Sequence, residues 1–311
     1  MKKVFIDGGA GTTGLRIHER LAERDDIELI KIDEKLRKDE AARKEAFAAA
    51  DIVFLCLPDA AAEAAALMAG EDTVVIDTST RHRTEPGWTY GFPEISDLRE
   101  KIRTAKRIAN PGCHASGFIA LIAPLVSAGI IDKSKGLSCF SVTGFSGGSK
   151  SMIAQYEQPE RSVLLGAPRQ YGLLQNHKHL KEMKKLSGIE KEPVFCPIVA
   201  DYYSGMELTV PLFADEICGG VKDIEKVYRE RYNSPAVYFS EKADEDGFLS
   251  AAAFSGRDDM SISVFGSAER IILTARYDNL GKGASGAAIQ NMNIVTGAYE
   301  YEGLTVRGGK I

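Results

Sequence analysis

The segment Ala109-Asn110-Pro111-Gly112-Cys113-His114-Ala115-Ser116-Gly117 holds the most reactive side chain of the chain. Pro111-Gly112 favours a turn and an apolar run follows directly, which predicts Cys113 at or near a helix N-terminus. Free amides and the positive end of the helix dipole lower a thiol pKa there and favour the nucleophilic thiolate. The other cysteines have no such setting. Cys56, Cys139 and Cys196 lie in apolar, strand-like runs and read as small hydrophobes, and Cys218 precedes Gly219-Gly220 with no partner of interest.

Five histidines are present. His177 and His179 form a pair in Gln175-Asn176-His177-Lys178-His179-Leu180 and share a face only if the chain is extended there. A metal site needs a third ligand, and no carboxylate or thiol is suitably spaced, so no metal is expected. General acid–base work by one of the two fits better, and the spacing does not choose between them. His18 reads as an exposed helix residue, His82 as facing substrate or solvent, and His114 need not point the same way as its neighbour Cys113.

The third chemical signal is a glycine loop. A β-branched and aromatic run, Lys3 to Asp7, leads into Gly8-Gly9-Ala10-Gly11-Thr12-Thr13-Gly14 and then into helical spacing from Leu15 to Ala22. Gly8, Gly11 and Gly14 suit a tight turn, close backbone approach to a pyrophosphate and close helix–strand packing, in front of a helix N-terminus. Asp33, at the end of the second apolar run, stands where a carboxylate often holds an NAD ribose, but Lys35, Arg37 and Lys38 could neutralise a 2′-phosphate. NAD and NADP both stay open on these residues. A thiolate beside a nicotinamide suggests attack on an acyl phosphate, a thioester, and hydride transfer to give an aldehyde, with oxyanion donors and a general acid nearby. Ser146-Gly147-Gly148-Ser149 by itself reads as a plain turn, although such a loop is also suited to offering backbone N–H groups to a phosphate or oxyanion, and Arg81 is expected to pair with a substrate carboxylate.

The elements that must position these groups alternate in the first third of the chain. Runs at Ile27–Ile32, Ile52–Leu57 and Thr73–Ile76 read as strands, separated by an alanine-rich helix ending near Ala50 and a helix from Asp59 to Met68. That alternation predicts βαβ units and a parallel, Rossmann-type α/β nucleotide domain over residues 1–111. Glu34 to Glu40 mixes both signs of charge and reads as a solvated helix face. After Cys113 the rhythm changes. A buried helix is expected from Gly117 to Ala128, then strands at Leu137–Val142, Val194–Ala200, Met206–Pro211, Ser261–Phe265 and Arg270–Ala275 with fewer helices between them. This predicts an α+β catalytic domain with a mostly antiparallel sheet over 112–283. A strong helix from Gly286 to Tyr299 fits either domain.

Composition narrows the function classes. A chain of 311 residues favours two domains, and its net charge of -5 gives no basic stripe for nucleic acid. The longest apolar stretch, Gly117 to Ile131, is interrupted by Pro124 and Ser127 and falls short of a membrane span, so no membrane partner is expected. No export signal is visible at the N-terminus, and an odd cysteine count argues against a disulfide framework, so a cytoplasmic protein is expected.

Asn110-Pro111-Gly112-Cys113, the Gly8–Gly14 loop and the His177/His179 segment together resemble the shorter type of the N-acetyl-γ-glutamyl-phosphate reductase family, of arginine biosynthesis. Val53 to Asp59, Asp77 to Arg83, Tyr90 to Glu94, Gly144 to Lys150 and Asp278 to Ala287 fit the same type, so the resemblance spans nearly the whole chain. It implies reversible, NADP-dependent reductive dephosphorylation of N-acetyl-glutamyl phosphate to the semialdehyde, with Cys113 as nucleophile and His177 or His179 as acid–base. It further implies that Thr12, Thr13, Pro58 and Ser79 join the cofactor site, and Asn110, Ser146 and Gly147 the substrate site. The helix after Gly283 is expected to pack back on the nucleotide domain, adding 284–311 to it, with the Gly281–Gly286 loop near the nicotinamide. Expected partners are the small acyl phosphate, its semialdehyde and inorganic phosphate, in a homodimer or homotetramer.

One departure stands out. The family usually has an aromatic, then a small residue or proline, then threonine after the cysteine, where this chain has His114, Ala115 and Ser116. Ser116 keeps a hydroxyl and is expected to maintain helix capping. Two other readings compete: a semialdehyde dehydrogenase of the aspartate type, and a non-enzymatic NAD(P)-binding regulator in which Cys113 is a bystander or redox sensor.

Overall fold

The computed structural model describes residues 1–9, 11–148 and 150–308, so Ala10 of the glycine loop and Ser149 of the glycine–serine loop lie outside the described residues. The chain forms two compact units. The first comprises Met1–Pro93, Asp97–Pro111 and Ala284–Leu304, and the second Glu94–Ser96, Gly112–Gly283 and residues 305–308.

Unit 1 is a parallel sheet. Its strands are β1 (Lys2–Asp7), β2 (Ile27–Ile30), β3 (Ile52–Leu55), β4 (Val74–Asp77), β5 (Thr89–Tyr90) and β6 (Arg107–Ala109), in the order β2-β1-β3-β4-β6-β5. Its helices are α1 (Thr12–Ala22), α2 (Glu40–Ala49), α3 (Asp59–Ala66) and α4 (Leu98–Thr104), joined by α9 (Gly286–Thr296) from the end of the chain. The apolar runs are buried on both faces, because alternate residues of one strand point to opposite sides. Val4, Ile52, Phe54 and Ile76 pack with Ile17, Ile102, Ile289 and Met292, whereas Phe5, Val53, Leu55 and Val75 pack with Phe47, Ala62 and Ala65. Helices α1 and α3 thus leave β1 and β3 on opposite faces, and a crevice opens where these two strands end.

Unit 2 is built on β7 (Ser138–Gly144), β8 (Arg169–Gln170), β9 (Val194–Ala200), β10 (Met206–Phe213), β11 (Val237–Phe239), β12 (Met260–Gly266) and β13 (Arg270–Tyr277), in the order β11-β12-β13-β10-β7-β9-β8. The pairings are antiparallel except β7 with β9 and β11 with β12. Its helices are α5 (Cys113–Ser127), α6 (Lys150–Glu157), α7 (Leu180–Ser187) and α8 (Val221–Arg231). Helix α5 is apolar on nearly every side and lies on the sheet. Gly117 permits the close approach, since a Cβ there would stand 2.7 Å from Tyr277 Oη and 3.2 Å from Leu208 Cβ. The opposite sheet face leaves Phe140, Val194, Phe213 and Ile272 exposed.

Two chain segments join unit 2 where simple continuity would not put them. Glu94–Ser96 is held by Arg231, whose guanidinium donates to the carbonyls of Glu94 and Ser96, and by a buried Lys282 Nζ–Glu94 pair at 2.8 Å. Residues 305–308 also belong with unit 2 rather than with unit 1, because Thr305 exchanges main-chain and carboxylate bonds with Asp258. The mixed-charge run Glu34 to Glu40 is not a helix face. Only Glu34–Leu36 makes a 3₁₀ turn, capped by the Asp33 carboxylate accepting from Lys35 N–H, and α2 starts at Glu40. Asp39 caps α2 instead, which breaks the run into two short-range caps. Among the described residues no helix is long and apolar enough to cross a membrane.

Candidate active site

In unit 1, Gly8 has φ +88°, and a Cβ on it would stand 2.3 Å from the Cys56 carbonyl oxygen. Gly14 is equally crowded: its Cβ would meet Gly8 O at 2.7 Å and Gly9 Cα at 2.9 Å. Gly11 differs. It is the N-cap of α1, its Cβ would find only ordinary contacts at 3.5 and 3.8 Å, and Thr12 and Thr13 form the first turn behind it. The first and third glycines therefore let the loop pack against β3, while the second lines the approach to the helix N-terminus. Pro58 is the N-cap of α3 on the neighbouring strand end.

A cavity of about 690 Å³ opens at this loop, lined by Asp7, Gly8, Gly9, Glu34, Arg37 and Lys38 among others. His18, expected on an exposed helix face, is half-buried and also borders this cavity. Asp33 serves the turn cap already described, and Glu34, Arg37 and Lys38 are the charged groups of that turn at the cavity wall. At its base Asp7 is buried and held by Arg43 from α2, Nη2 to Oδ2 at 2.6 Å. A buried carboxylate needs such a counter-charge.

Further along the sheet, the fully buried Asp77 accepts from Ser79 N–H at 2.9 Å and Ser79 Oγ at 2.7 Å, and its Oδ2 is 2.6 Å from His82 Nδ1. His82 does not face solvent. It is buried on Asp77 and stacked on Trp88, ring centroids 3.9 Å apart. Arg81 is held between Glu63 and Glu85 at 2.8 and 2.7 Å, so its fork is already matched to two carboxylates. Asn110 is buried, donates from Nδ2 to Ala284 O at 3.0 Å and accepts from Asn291 at 3.3 Å, so its amide braces unit 1.

In unit 2, α5 starts at Cys113 itself, with Gly112 as its N-cap. Ser116 does not cap the helix. As the fourth residue of α5 it stands one turn inside, and its hydroxyl donates back to Gly112 O at 3.0 Å. The Gly112 N–H is satisfied instead by Glu182 Oε2 at 3.2 Å, from α7. Glu182 is 1% exposed, and its other oxygen lies 3.9 Å from His179 Nε2. One carboxylate thus touches both the turn before the cysteine and the histidine pair. Tyr277 Oη donates to Cys113 O at 2.6 Å and accepts from Gly117 N–H at 3.0 Å. Gly283 also borders the cysteine: a Cβ there would lie 3.0 Å from Cys113 Cβ.

The histidine pair is not a simple extended strand. His179 is the N-cap of α7 and buried, and its backbone N–H donates to His177 Nδ1 at 3.2 Å. His177 is half-buried, with its ring 4.7 Å from that of His179. His114 turns toward the pair, its ring centroid 5.8 Å from His177 and 5.7 Å from His179. Its Nδ1 is 2.7 Å from Ser141 Oγ and its Nε2 2.7 Å from Tyr171 Oη. Glu182, Tyr171 and Ser141 had no sequence signal of their own. Glu182 does follow the histidine pair in the first turn of α7, and that adjacency was the available clue.

Burial, aided by the charge of His177, pulls the His114 pKa down to about 3. Burial and the nearby Cys113 charge hold the Tyr171 and Tyr277 hydroxyls above their usual range, so both stay protonated donors. A neutral His114 has a measurable consequence. Between an unfolded pKa near ~6.5 and a folded value of about 3, the unfolded chain binds a proton that the native state does not. Stability therefore falls as pH drops below about 6.5, with a slope of up to ~1.4 kcal/mol per pH unit from this group. Urea midpoints of wild type and His114→Gln from pH 7 to 4 should converge by that amount. A constant gap would show that His114 takes up its proton in the folded state.

In the Ser146–Gly147 loop several amides are already engaged within the fold. Phe145 N–H and Ser146 N–H are committed to the carbonyls of Tyr202 and Tyr203, Gly148 N–H to Phe145 O, and Ser146 Oγ accepts from Asn279 at 3.0 Å. A sharp turn under β7 uses these amides to hold its own shape.

Residues 3–105 match the family described as semialdehyde dehydrogenase, NAD binding domain, and residues 113–279 the semialdehyde dehydrogenase, dimerisation domain. The N-acetyl-gamma-glutamyl-phosphate reductase of Rhizobium meliloti is 43% identical over 307 residues, covering 95% of this chain and 99% of the relative. N-acetyl-gamma-glutamyl-phosphate reductase 2 of a Nostoc species is 42% identical over 97% of this chain and 99% of its own. Among solved structures, aspartate semialdehyde dehydrogenase II of Vibrio cholerae shares the fold with a TM-score of 0.72 at 17% identity, over 96% of this chain and 99% of that one.

Proposed function

Since the chain belongs to the N-acetyl-γ-glutamyl-phosphate reductase family of oxidoreductases, with the family's NAD-binding domain, we propose that it reduces N-acetyl-L-glutamyl 5-phosphate to the semialdehyde with NADPH through a thioester on Cys113. The observation that carries the reading is Cys113 as the first residue of α5, in one unit with the His177/His179 pair. The Cys113 thiolate attacks the acyl carbonyl, the C–O bond to phosphate breaks, and inorganic phosphate leaves. When bound, the nicotinamide supplies the hydride that the thioester carbon accepts. Collapse of the resulting tetrahedral species breaks the C–S bond, and the thiolate returns to Cys113.

His177 is the proton carrier in this scheme. It is the more exposed of the two, and its Nδ1 accepts from the His179 N–H, which leaves Nε2 as the nitrogen that exchanges a proton with the reacting groups. His179 is buried beside Glu182 and positions the segment. A His177→Asn enzyme should lose more turnover than His179→Asn, and the reverse order would exchange the two roles.

The nucleotide loop fits a dinucleotide, because Gly8 and Gly14 have no room for a side chain and Gly11 leaves the helix N-terminus clear. Arg37 and Lys38 at the cavity wall favour a 2′-phosphate, which supports NADP. Arg37→Ala combined with Lys38→Ala should weaken NADPH binding by roughly 10-fold or more and leave NADH binding little changed. Equal loss for both cofactors would remove the 2′-phosphate assignment.

A homo-oligomer is part of the same reading, supported by the match to a dimerisation domain and by Phe140, Phe213 and Ile272 exposed on one sheet face. Free cysteines throughout the described chain support a cytoplasmic setting. The deciding assay follows NADPH formation from N-acetyl-glutamate semialdehyde, NADP⁺ and phosphate. Turnover with aspartate semialdehyde alone would favour the aspartate-type reading. Nucleotide binding with no phosphate-dependent turnover of either would favour a regulator.

A further inference from the structure

The Tyr171–Gln175 part of the loop that leads to His179 is tied firmly to β9. Tyr171 N–H donates to Pro197 O on β9, and the Gln175 amide bonds both the N–H and the carbonyl of Phe195 at 2.9 and 2.7 Å. Gly172 at φ +66° and Gln175 at φ +52° shape the turn between these anchors. All of them fix the loop to β9, a strand that carries no part of the nucleophile. The reaction needs the histidine pair fixed relative to α5, the helix that begins at Cys113.

Glu182 makes that link at the His179 end, through the Gly112 N–H, and His114 makes it at the Tyr171 end. His114 is the residue after the nucleophile, 3% exposed, and its two ring nitrogens reach in different directions, to Ser141 on β7 and to Tyr171 at the start of the loop. Its ring also packs edge-on against Phe195, 5.2 Å between centroids, so it cannot swing without moving the strand that anchors Gln175. A purely aromatic side chain would fill this space, but it could not bond to both sides.

We propose that His114 is a positioning residue which, through its Nε2–Tyr171 hydrogen bond, sets the place of the His177–His179 loop relative to Cys113 and so the proton transfer made there. The inference rests on the thioester reading of Cys113. The titratable groups against His114 are Tyr171, His177 and His179 on the loop, while β7 and β9 present Ser141 and Phe195. Its neutrality keeps one nitrogen a donor and the other an acceptor over the working pH range, so the link does not change as the neighbouring groups titrate.

The two ends of the imidazole can be separated. His114→Gln places an amide where Nε2 stands and keeps the bond to Tyr171, whereas His114→Asn reaches only as far as Nδ1 and keeps Ser141. His114→Asn and Tyr171→Phe should each lower kcat by roughly 10- to 100-fold, with KM little changed and the histidine limb of the pH–kcat profile displaced. His114→Gln and Ser141→Ala should stay within about threefold of wild type with an unmoved profile, and the His114→Asn/Tyr171→Phe double variant should be no worse than either single. Urea midpoints establish that every variant is folded. Equal loss in His114→Gln and His114→Asn, or wild-type behaviour of Tyr171→Phe, overturns the inference. The pH dependence of Cys113 alkylation by iodoacetamide, read on the same variants, reports the placement of the loop without turnover. If wild type shows no phosphate-dependent turnover, the thioester reading fails, and the alkylation contrast between Asn and Gln still decides the role of His114.

Discussion

Cys113→Ser is expected to reduce phosphate-dependent NADP⁺ reduction by roughly 10⁴-fold or more while leaving the fold intact. Serine is nearly isosteric, and Cys113 is half-exposed at the start of α5 with its carbonyl held by Tyr277 Oη, so the backbone has no reason to move. What changes is the nucleophile. A helix N-terminus brings a thiol within reach of ionisation at neutral pH, whereas a serine hydroxyl there needs a general base to become reactive. The same enzyme should still bind NADPH, because the glycine loop belongs to the other unit. Turnover within a factor of ten of wild type would exclude covalent catalysis by this residue. Loss of NADPH binding alongside turnover would point instead to a folding defect.

The second large effect separates two glycines of one loop. Gly8→Ala combines a positive φ with a Cβ placed 2.3 Å from the Cys56 carbonyl, a backbone atom that cannot move without β3. It should cost about 3 kcal/mol or more of stability, visible as a lower urea midpoint in the absence of any nucleotide. Gly11→Ala meets only contacts of 3.5 Å or longer in the free protein and should leave that midpoint unchanged. Its methyl group would stand at the N-cap of α1, where a pyrophosphate approaches the helix amides, so NADPH affinity should fall by about 10-fold or more. Together the two variants separate folding from binding. If Gly11→Ala binds NADPH as wild type does, the phosphate is not held at this helix end. If Gly8→Ala is as stable as wild type, the loop has another conformation open to it.

The chain alone determined a good deal. Periodicity is local, so the buried runs of β1, β3 and β4, the helices between them and the break in rhythm at Cys113 could be read directly, and with them the plan of a parallel-sheet α/β part followed by a mostly antiparallel one. The cysteine at a turn–helix junction and the glycines ahead of α1 carry their chemistry in residue type and immediate neighbours. The family resemblance rests on the same segments, and the comparisons bear it out.

Tertiary structure decided what depends on partners distant in sequence. That Arg81 is matched by Glu63 and Glu85, that the Asn110 amide braces Ala284, and that the Phe145 and Ser146 amides serve Tyr202 and Tyr203 all follow from segments brought together only by folding. Glu182 illustrates the reason most clearly. Seventy residues separate it from Gly112, yet the packing of α7 beside α5 buries its carboxylate against both the Gly112 N–H and His179. His114 likewise looked like a bystander next to the nucleophile, and burial between β7 and the histidine loop turned it into the link between them. Side-chain type and short-range spacing name the reacting groups, but a buried polar atom must take its partner from whatever the fold brings within 3 Å, and that partner is a property of the packed chain.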